Sequence, residues 1–125
     1  MSLLGNLYSV ESISYVESKL DCIITINENH ELFNGHFPGN PIVPGVCSVQ
    51  IIGELLSLNF GKEYHLVSSD NIKFITLVNP LEYRELRYEV SVLNQSPDSL
   101  AIKCIVTGMG VETLKMKGEY RCQAV

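Results

Sequence analysis

Apolar and polar residues alternate through much of the second half of this chain. Such alternation predicts strands with one buried face, because successive side chains of a strand point to opposite sides. It runs through residues 84–92 and 100–106, and a turn at 108–110 leads into a third stretch over 111–122. The apolar positions of the first two stretches are Leu86, Tyr88, Val90, Val92, Leu100, Ile102, Cys104 and Val106. This half therefore predicts three consecutive antiparallel strands.

The first half contains one long apolar segment between shorter strand-like stretches. Alternation within residues 11–27 predicts an opening strand with one face buried. Residues 46–60 predict a helix that is apolar on all sides, and residues 65–78 predict a strand that ends at a turn, Asn79-Pro80. One such helix followed by antiparallel strands favours an α+β fold, in which a curved sheet wraps around one long central helix.

Composition restricts the class of protein. At 125 residues the chain is predicted to form a single domain over residues 1–125, large enough for one hydrophobic core. The net charge of −5 argues against nucleic-acid binding, which requires a basic surface. The first residues lack the basic and apolar regions of a secretion signal or an anchor, so we expect a cytoplasmic protein that does not bind membranes.

The cysteines give no sign of a metal or redox site. Cys22, Cys47, Cys104 and Cys122 are scattered without a C-x-x-C pair, and each lies in an apolar or strand-like setting. Zinc and redox sites need paired spacing. We therefore expect reduced core residues, with neither a metal nor a cofactor.

The segment 36–45 has the composition of a site. It places His36 beside three prolines and two glycines, directly before the predicted helix. Each proline fixes its own φ and favours an extended residue before it, so the loop is stiff and the histidine is held in place. Gly45 opens the helix, and the first helical N–H groups have no partner within the helix, so they are available to a carbonyl oxygen.

The residues from His36 to Val46 fit the pattern His-Phe-Pro-Gly-x-Pro-x-x-Pro-Gly-Val. This pattern resembles the signature loop of the bacterial 3-hydroxyacyl-[acyl-carrier-protein] dehydratases, which are hot-dog-fold enzymes of fatty acid synthesis. The similarity is nearly unbroken over 35–46. It is supported more weakly outside the loop, at Asn29, Phe33, Lys73, Phe74 and Pro80.

The resemblance implies a role for several residues. His36 would be the base that removes the α-proton of a 3-hydroxyacyl thioester. The N–H groups of Gly45 and Val46 would bind the thioester carbonyl at the helix start, and Phe37 and Phe74 would line the acyl tunnel. The substrate would be carried on acyl carrier protein and leave as a 2-enoyl thioester.

The sequence departs from the family at its second catalytic group, a helix carboxylate fourteen residues after the histidine. That position is Gln50, which cannot deliver a proton as a carboxylic acid does, although it can orient the hydroxyl or hold a water. Glu54 lies one turn later on the same helical face, about 6 Å further along the axis. It is either an alternative acid or a solvated or salt-bridged carboxylate. The two residues of one family site come from opposite subunits, so a related subunit could also supply the carboxylate in a heterodimer.

Two other functions remain open at this point. Hot-dog thioesterases act on the same kind of carbonyl but generally lack the His-Phe-Pro-Gly stretch, and a non-catalytic acyl-binding subunit would explain Gln50. We expect at least a homodimer, because family members pair the sheet's edge strand across a two-fold axis. An acidic carrier protein would need a local basic patch on this acidic chain. The candidates for that patch are Lys73, Arg84, Arg87, Lys115, Lys117 and Arg121.

Overall fold

A computed structural model describes residues 2–34 and 41–122. The elements are β1 (Tyr8–Val16), β2 (Lys19–Ile26), a short 3₁₀ turn (Glu31–Phe33), α1 (Gly45–Phe60), β3 (Tyr64–Phe74), β4 (Glu85–Gln95), β5 (Ser99–Gly108) and β6 (Val111–Cys122). The strands form a six-stranded sheet in the order β1-β2-β4-β5-β6-β3, and every neighbouring pair is antiparallel. The sheet curves around α1, as the sequence predicts.

The prediction of one opening strand within residues 11–27 is wrong. The segment is a hairpin of β1 and β2, joined at Glu17 and Ser18, which both have positive φ angles of 50° and 63°. The alternation of β2 is clear because β2 lies between two strands. β1 is an edge strand, mostly exposed and rich in serine, so it gives almost no hydrophobic pattern.

The other elements lie close to their predicted positions. Helix α1 begins at Gly45 and ends at Phe60, where Gly61 takes a left-handed φ of 69° and donates its N–H to Ser57 O. Strand β3 ends at Phe74, four residues before the predicted end of that stretch at Val78. In β4 and β5 the predicted apolar positions face the core, with Val92 only partly buried.

The core lies between α1 and the concave face of the sheet. Ile51, Ile52, Leu55 and Leu56 of the helix are fully buried there. A hydrogen bond of 3.2 Å from the Tyr88 hydroxyl to Ser48 O joins β4 to the first turn of the helix. This packing fixes which helical face remains outside the core, and that face carries Gln50 and Glu54.

Buried tyrosine phenols and cysteine thiols of the core predict a loss of folding stability at alkaline pH. Burial raises the pKa of the Tyr88 and Tyr120 phenols above the ordinary range, and burial with a hydrogen bond to Glu54 does the same for Tyr8. Burial raises the pKa of the Cys22 thiol to about 12. The folded state therefore keeps protons that the unfolded chain loses near pH 8.5 to 10, so stability is full below that window and falls as pH rises through it.

We expect the free energy of unfolding to fall by about 1.4 kcal/mol per pH unit for each such group above its unfolded pKa. Urea unfolding at a series of pH values from 7 to about 11 measures this slope. Tyrosinate absorbance of the folded protein should rise at higher pH than that of the urea-unfolded chain. A urea midpoint that stays constant through this range would contradict the assignment.

Candidate active site

The start of helix α1 presents backbone donors. Pro44 precedes the helix and offers no side-chain cap, while its carbonyl accepts from Cys47 N at 3.0 Å and Ser48 N at 3.2 Å. Of the first four helical N–H groups, this leaves those of Gly45 and Val46 without a partner in the part of the chain that the structure describes. They point out of the positive end of the helix dipole, which favours a negatively charged oxygen.

Phe74 covers this helix start. A Cβ placed on Gly45 would lie 2.6 Å from Phe74 Cε1, so only glycine allows the ring to approach so closely. The ring is 57% exposed and is therefore not a core residue. Gly45 and Phe74 line a cleft of about 250 Å³ together with Ile42, Val78 and Leu114.

The predicted catalytic loop is anchored on both sides. Its residues 35–40, including His36 and Phe37, lie outside the described residues. Before the loop, Phe33 is buried at the end of the 3₁₀ turn. After it, Pro41 is buried and Val43 N donates to Val78 O at 2.9 Å, which attaches the chain to the segment after β3.

The other histidines take positions outside this cluster. His30 caps the 3₁₀ turn, since its Nδ1 accepts a hydrogen bond of 3.0 Å from Leu32 N. His65 is an exposed residue of β3, with its Nε2 3.4 Å from Glu63 Oε1. Neither residue has a motif around it in the sequence.

Gln50 lies exposed on α1, on the helical face that starts at Val46. Its Nε2 donates to Glu54 Oε2 at 2.9 Å, so the amide and the carboxylate form a pair one helical turn apart. The position predicted for the missing acid therefore holds an amide that is already oriented by a carboxylate.

Glu54 is bound more tightly than the sequence suggests. Its Oε2 also accepts from Leu3 N at 2.8 Å, and its Oε1 accepts from Leu4 N at 2.9 Å and the Tyr8 hydroxyl at 2.8 Å. These three partners come from the segment before β1 and from the first residue of β1. Glu54 thus joins the N-terminal segment to the helix, instead of being solvated or paired with a cation.

A groove runs along this face of α1. It has a volume of about 740 Å³ and lies between the helix and β3. The helix supplies Val46, Val49, Gln50 and Glu54, and β3 supplies Tyr64, His65 and Leu66. This face of α1 thus carries a groove with an oriented amide, and the N–H groups of Gly45 and Val46 lie at the start of the same helix. Among residues 2–34 and 41–122 no group of His, Cys, Asp and Glu side chains is arranged to hold a metal ion.

Solved structures with the same architecture define the class. The dehydratase heterocomplex ApeI:P from Xenorhabdus doucetiae matches with a TM-score of 0.69 over 91% of this chain and 96% of that chain, at 15% identity. A hypothetical thioesterase protein with coenzyme A from Streptococcus pneumoniae matches with a TM-score of 0.63 over 94% and 86%, at 11% identity. At these identities the likeness concerns the fold, and it makes the chain a hot-dog-fold protein.

Sequence relatives identify the family within that class. The 3-hydroxyacyl-[acyl-carrier-protein] dehydratase FabZ of Lactococcus lactis is 31% identical over 124 residues, which cover 90% of this chain and 82% of the relative. FabZ of Ligilactobacillus salivarius is 45% identical over 76 residues, covering 55% and 51%. The family model described as ApeI dehydratase matches residues 12–105, so the chain belongs to the ApeI-like dehydratase family.

Proposed function

We propose that this chain is a lyase that dehydrates 3-hydroxyacyl thioesters on acyl carrier protein to 2-enoyl thioesters, in fatty acid or polyketide-type synthesis. The observation that carries the proposal is the histidine loop leading directly into a helix whose first N–H groups, at Gly45 and Val46, have no partner among residues 2–34 and 41–122. The FabZ relatives are named for this reaction, and their sequence similarity extends over most of this chain.

The proposed reaction assigns one task to each group. His36 takes the α-proton, and the electrons of that C–H bond form the new double bond as the C–O bond at C3 breaks. The N–H groups of Gly45 and Val46 stabilise the charge that develops on the thioester oxygen. The departing hydroxide needs a proton to become water, and His36 or a solvent water supplies it. An N–H of Gln50, supplied by the opposite subunit as in the family, orients that hydroxyl. Phe37 and Phe74 line the acyl tunnel.

Gln50 makes this a slower site than one with a carboxylic acid. Losing a general acid typically costs about 10²- to 10⁴-fold in rate. Glu54 as a substitute acid is a second arrangement of the same function. The oxygens of Glu54 serve as acceptors in this structure, for the N–H groups of Leu3 and Leu4, the Tyr8 hydroxyl and Gln50 Nε2.

A thioesterase is the second candidate function, since a hypothetical thioesterase protein shares the fold. The test is to mix the purified chain with a 3-hydroxyacyl carrier protein and follow the acyl chain by mass spectrometry. Loss of one water from the carrier-bound chain supports dehydration. Free carrier thiol with an intact 3-hydroxy acid would establish hydrolysis instead, and an unchanged substrate would rule out catalysis by the chain alone.

Strand β3 supports assembly with a second subunit. It forms one edge of the sheet, and no other described strand pairs with its outer side. Leu66, Val67 and Ile72 are 37%, 52% and 38% exposed along this edge, which is unusual for apolar residues of a monomer. We propose a homodimer, or a higher oligomer of dimers, joined along β3. The Xenorhabdus complex is a heterocomplex, so a related subunit is the alternative, and native mass spectrometry of the purified chain distinguishes the two.

The basic candidates divide into two groups. Carboxylate oxygens of neighbouring side chains lie 3.2, 2.6, 3.7 and 3.5 Å from Arg84, Arg87, Arg121 and Lys115, so the charges of these four residues are largely matched locally. Lys73 and Lys117 form no ion pair with any residue in 2–34 or 41–122. The second group is therefore the better candidate for contact with an acidic partner.

Four exposed lysines form a patch on the outer face of β3, β6 and β5. Lys73 lies directly opposite Lys115, and Lys117 lies directly opposite Lys103. Lys115 and Lys117 are two residues apart and so share a face. Like charges opposite each other destabilise a sheet. An acidic carrier protein would relieve this repulsion, which supports the lysine patch as its docking surface.

Reversing two charges of the lysine patch tests this docking surface. We expect Lys103→Glu with Lys117→Glu to raise KM for carrier-bound substrate about tenfold and to weaken its salt dependence, since surface charges steer association. The same substrate on free pantetheine should be turned over at the rate of the parent chain. Lys62→Glu is the matched control, since Lys62 contacts Pro97 O and lies outside the patch. An equal rise in KM for that control would locate docking elsewhere.

A cytoplasmic location stays a prediction. The four cysteines are free thiols in the structure, and Cys22 and Cys104 are fully buried. Free thiols are typical of a reducing compartment. No helix in the described part of the chain is long and apolar enough to cross a membrane.

A further inference from the structure

The hydrogen bond between Gln50 and Glu54 determines how the side-chain amide of Gln50 is oriented in the groove. An amide side chain has a donor end and an acceptor end of nearly equal shape, and its neighbours set which end points where. A carboxylate only accepts, so Glu54 binds the Nε2 end of Gln50, at 2.9 Å. One N–H of Gln50 is thereby used, and this contact sets the directions of the second N–H and of the amide oxygen.

Glu54 can impose this orientation because it is itself fixed. Backbone N–H groups of Leu3 and Leu4 and the hydroxyl of Tyr8 hold its two oxygens at 2.8 to 2.9 Å. Tyr8 is 2% exposed, and hydrogen bonds to a charged group are among the stronger ones in proteins. The carboxylate is therefore a rigid acceptor, and within residues 2–34 and 41–122 it also accepts from Gln50.

We propose that Glu54 is a positioning residue: it fixes the Gln50 amide so that an N–H points at the 3-hydroxyl group of the substrate. This inference rests on the proposed function for the identity of the substrate, but the orientation of Gln50 can be tested without it. A catalytic acid at Glu54 and a purely structural Glu54 are the two alternatives, and they predict different results.

A double-mutant cycle separates these roles. In Glu54→Gln the side chain at position 54 can donate, so Gln50 is free to reverse its amide. We expect kcat to fall about 10- to 100-fold with KM nearly unchanged, the size typical of misplaced catalytic contacts. In a Gln50→Ala background the same change should cost no more than about twofold, because the residue it acts through is gone. If Glu54→Gln lowers kcat in that background as much as it does in the parent, Glu54 acts independently of Gln50, as a catalytic acid would, and the proposal is overturned.

Glu11→Gln is the matched control. It makes the same change from a carboxylate to an amide at an exposed residue of β1, whose carboxylate accepts from the Thr25 hydroxyl at 3.0 Å. The variant should keep a kcat within about twofold of the parent. If Glu11→Gln lowers kcat as much as Glu54→Gln does, the loss is not specific to the contact with Gln50, and the proposal fails. A purely structural Glu54 would lower kcat in the Gln50→Ala background together with the urea midpoint, which would also overturn it.

A second readout applies even if the chain turns over no thioester, a result that would refute the proposed function alone. The side-chain NH₂ resonances of Gln50 in an NMR spectrum report its hydrogen bonds. They should shift and exchange faster with solvent in Glu54→Gln, and stay close to the parent values in Glu11→Gln. Unchanged Gln50 resonances in Glu54→Gln would overturn the positioning role.

Discussion

Replacing His36 with alanine is expected to abolish dehydration. If His36 removes the α-proton, its loss leaves only water to act as the base, and general-base catalysis typically contributes about 10²- to 10⁴-fold in rate. The N–H groups at Gly45 and Val46 would still bind the carbonyl, so affinity for the acyl thioester should change little. Single-turnover conversion of the carrier-bound substrate, followed by mass spectrometry, measures the effect.

The control for this variant is another histidine. His30→Asn keeps an acceptor for Leu32 N and so preserves the 3₁₀ turn, because asparagine is also a good cap. Its turnover should match that of the parent chain. His36→Ala should keep the parent's circular dichroism and urea midpoint. Undiminished turnover in a folded His36→Ala chain would remove His36 from the mechanism and favour a site elsewhere.

Changing Gln50 to glutamate is expected to raise dehydration, or to create it if the parent is inactive. The new carboxyl would lie within hydrogen-bond distance of Glu54, since the present side chains are 2.9 Å apart. Two carboxylates so close cannot both ionise without strong repulsion, so the pair should retain one proton near neutral pH. A retained proton is what the departing hydroxide needs, and the gain could approach about 10²-fold.

Two further measurements make the Gln50→Glu result specific. Activity of the variant should fall as pH rises and the shared proton is lost, and its urea midpoint should drop because of the like charges. Gln50→Met is the control, since it has a similar length without hydrogen-bonding groups, and it should show no gain. A folded Gln50→Glu chain with no gain over the parent would mean that position 50 does not lie beside the hydroxyl.

Much of the fold could be predicted because the strongest patterns belong to the elements with a buried face. In β4 and β5 one buried side chain alternates with one exposed side chain, so their positions follow from the sequence. β1 could not be found in this way, because an edge strand with serine on both faces has no such period. The helix was predictable from its length and apolar content, and its beginning from the glycine after three prolines.

The candidate site was predictable only where a motif marks it. The motif identified the helix start, and the structure adds the close approach of Phe74 to Gly45. The environment of Glu54 was out of reach, because two of its partners are backbone N–H groups about 50 residues away. The pattern of side chains along a sequence does not indicate which backbone N–H groups lie near a given carboxylate. The sequence predicted solvent or a cationic side chain as the partner of this carboxylate.

The position of β3 in the sheet also affects how the chain is made. β3 pairs only with β6 among the described strands, and β6 is synthesised last of the six. While the ribosome still holds the later strands, β3 has no neighbour within its own chain. Its apolar residues are then open to wrong pairing with other nascent chains. The proposed subunit contact along β3 would therefore have to wait until β6 has left the ribosome and paired with β3.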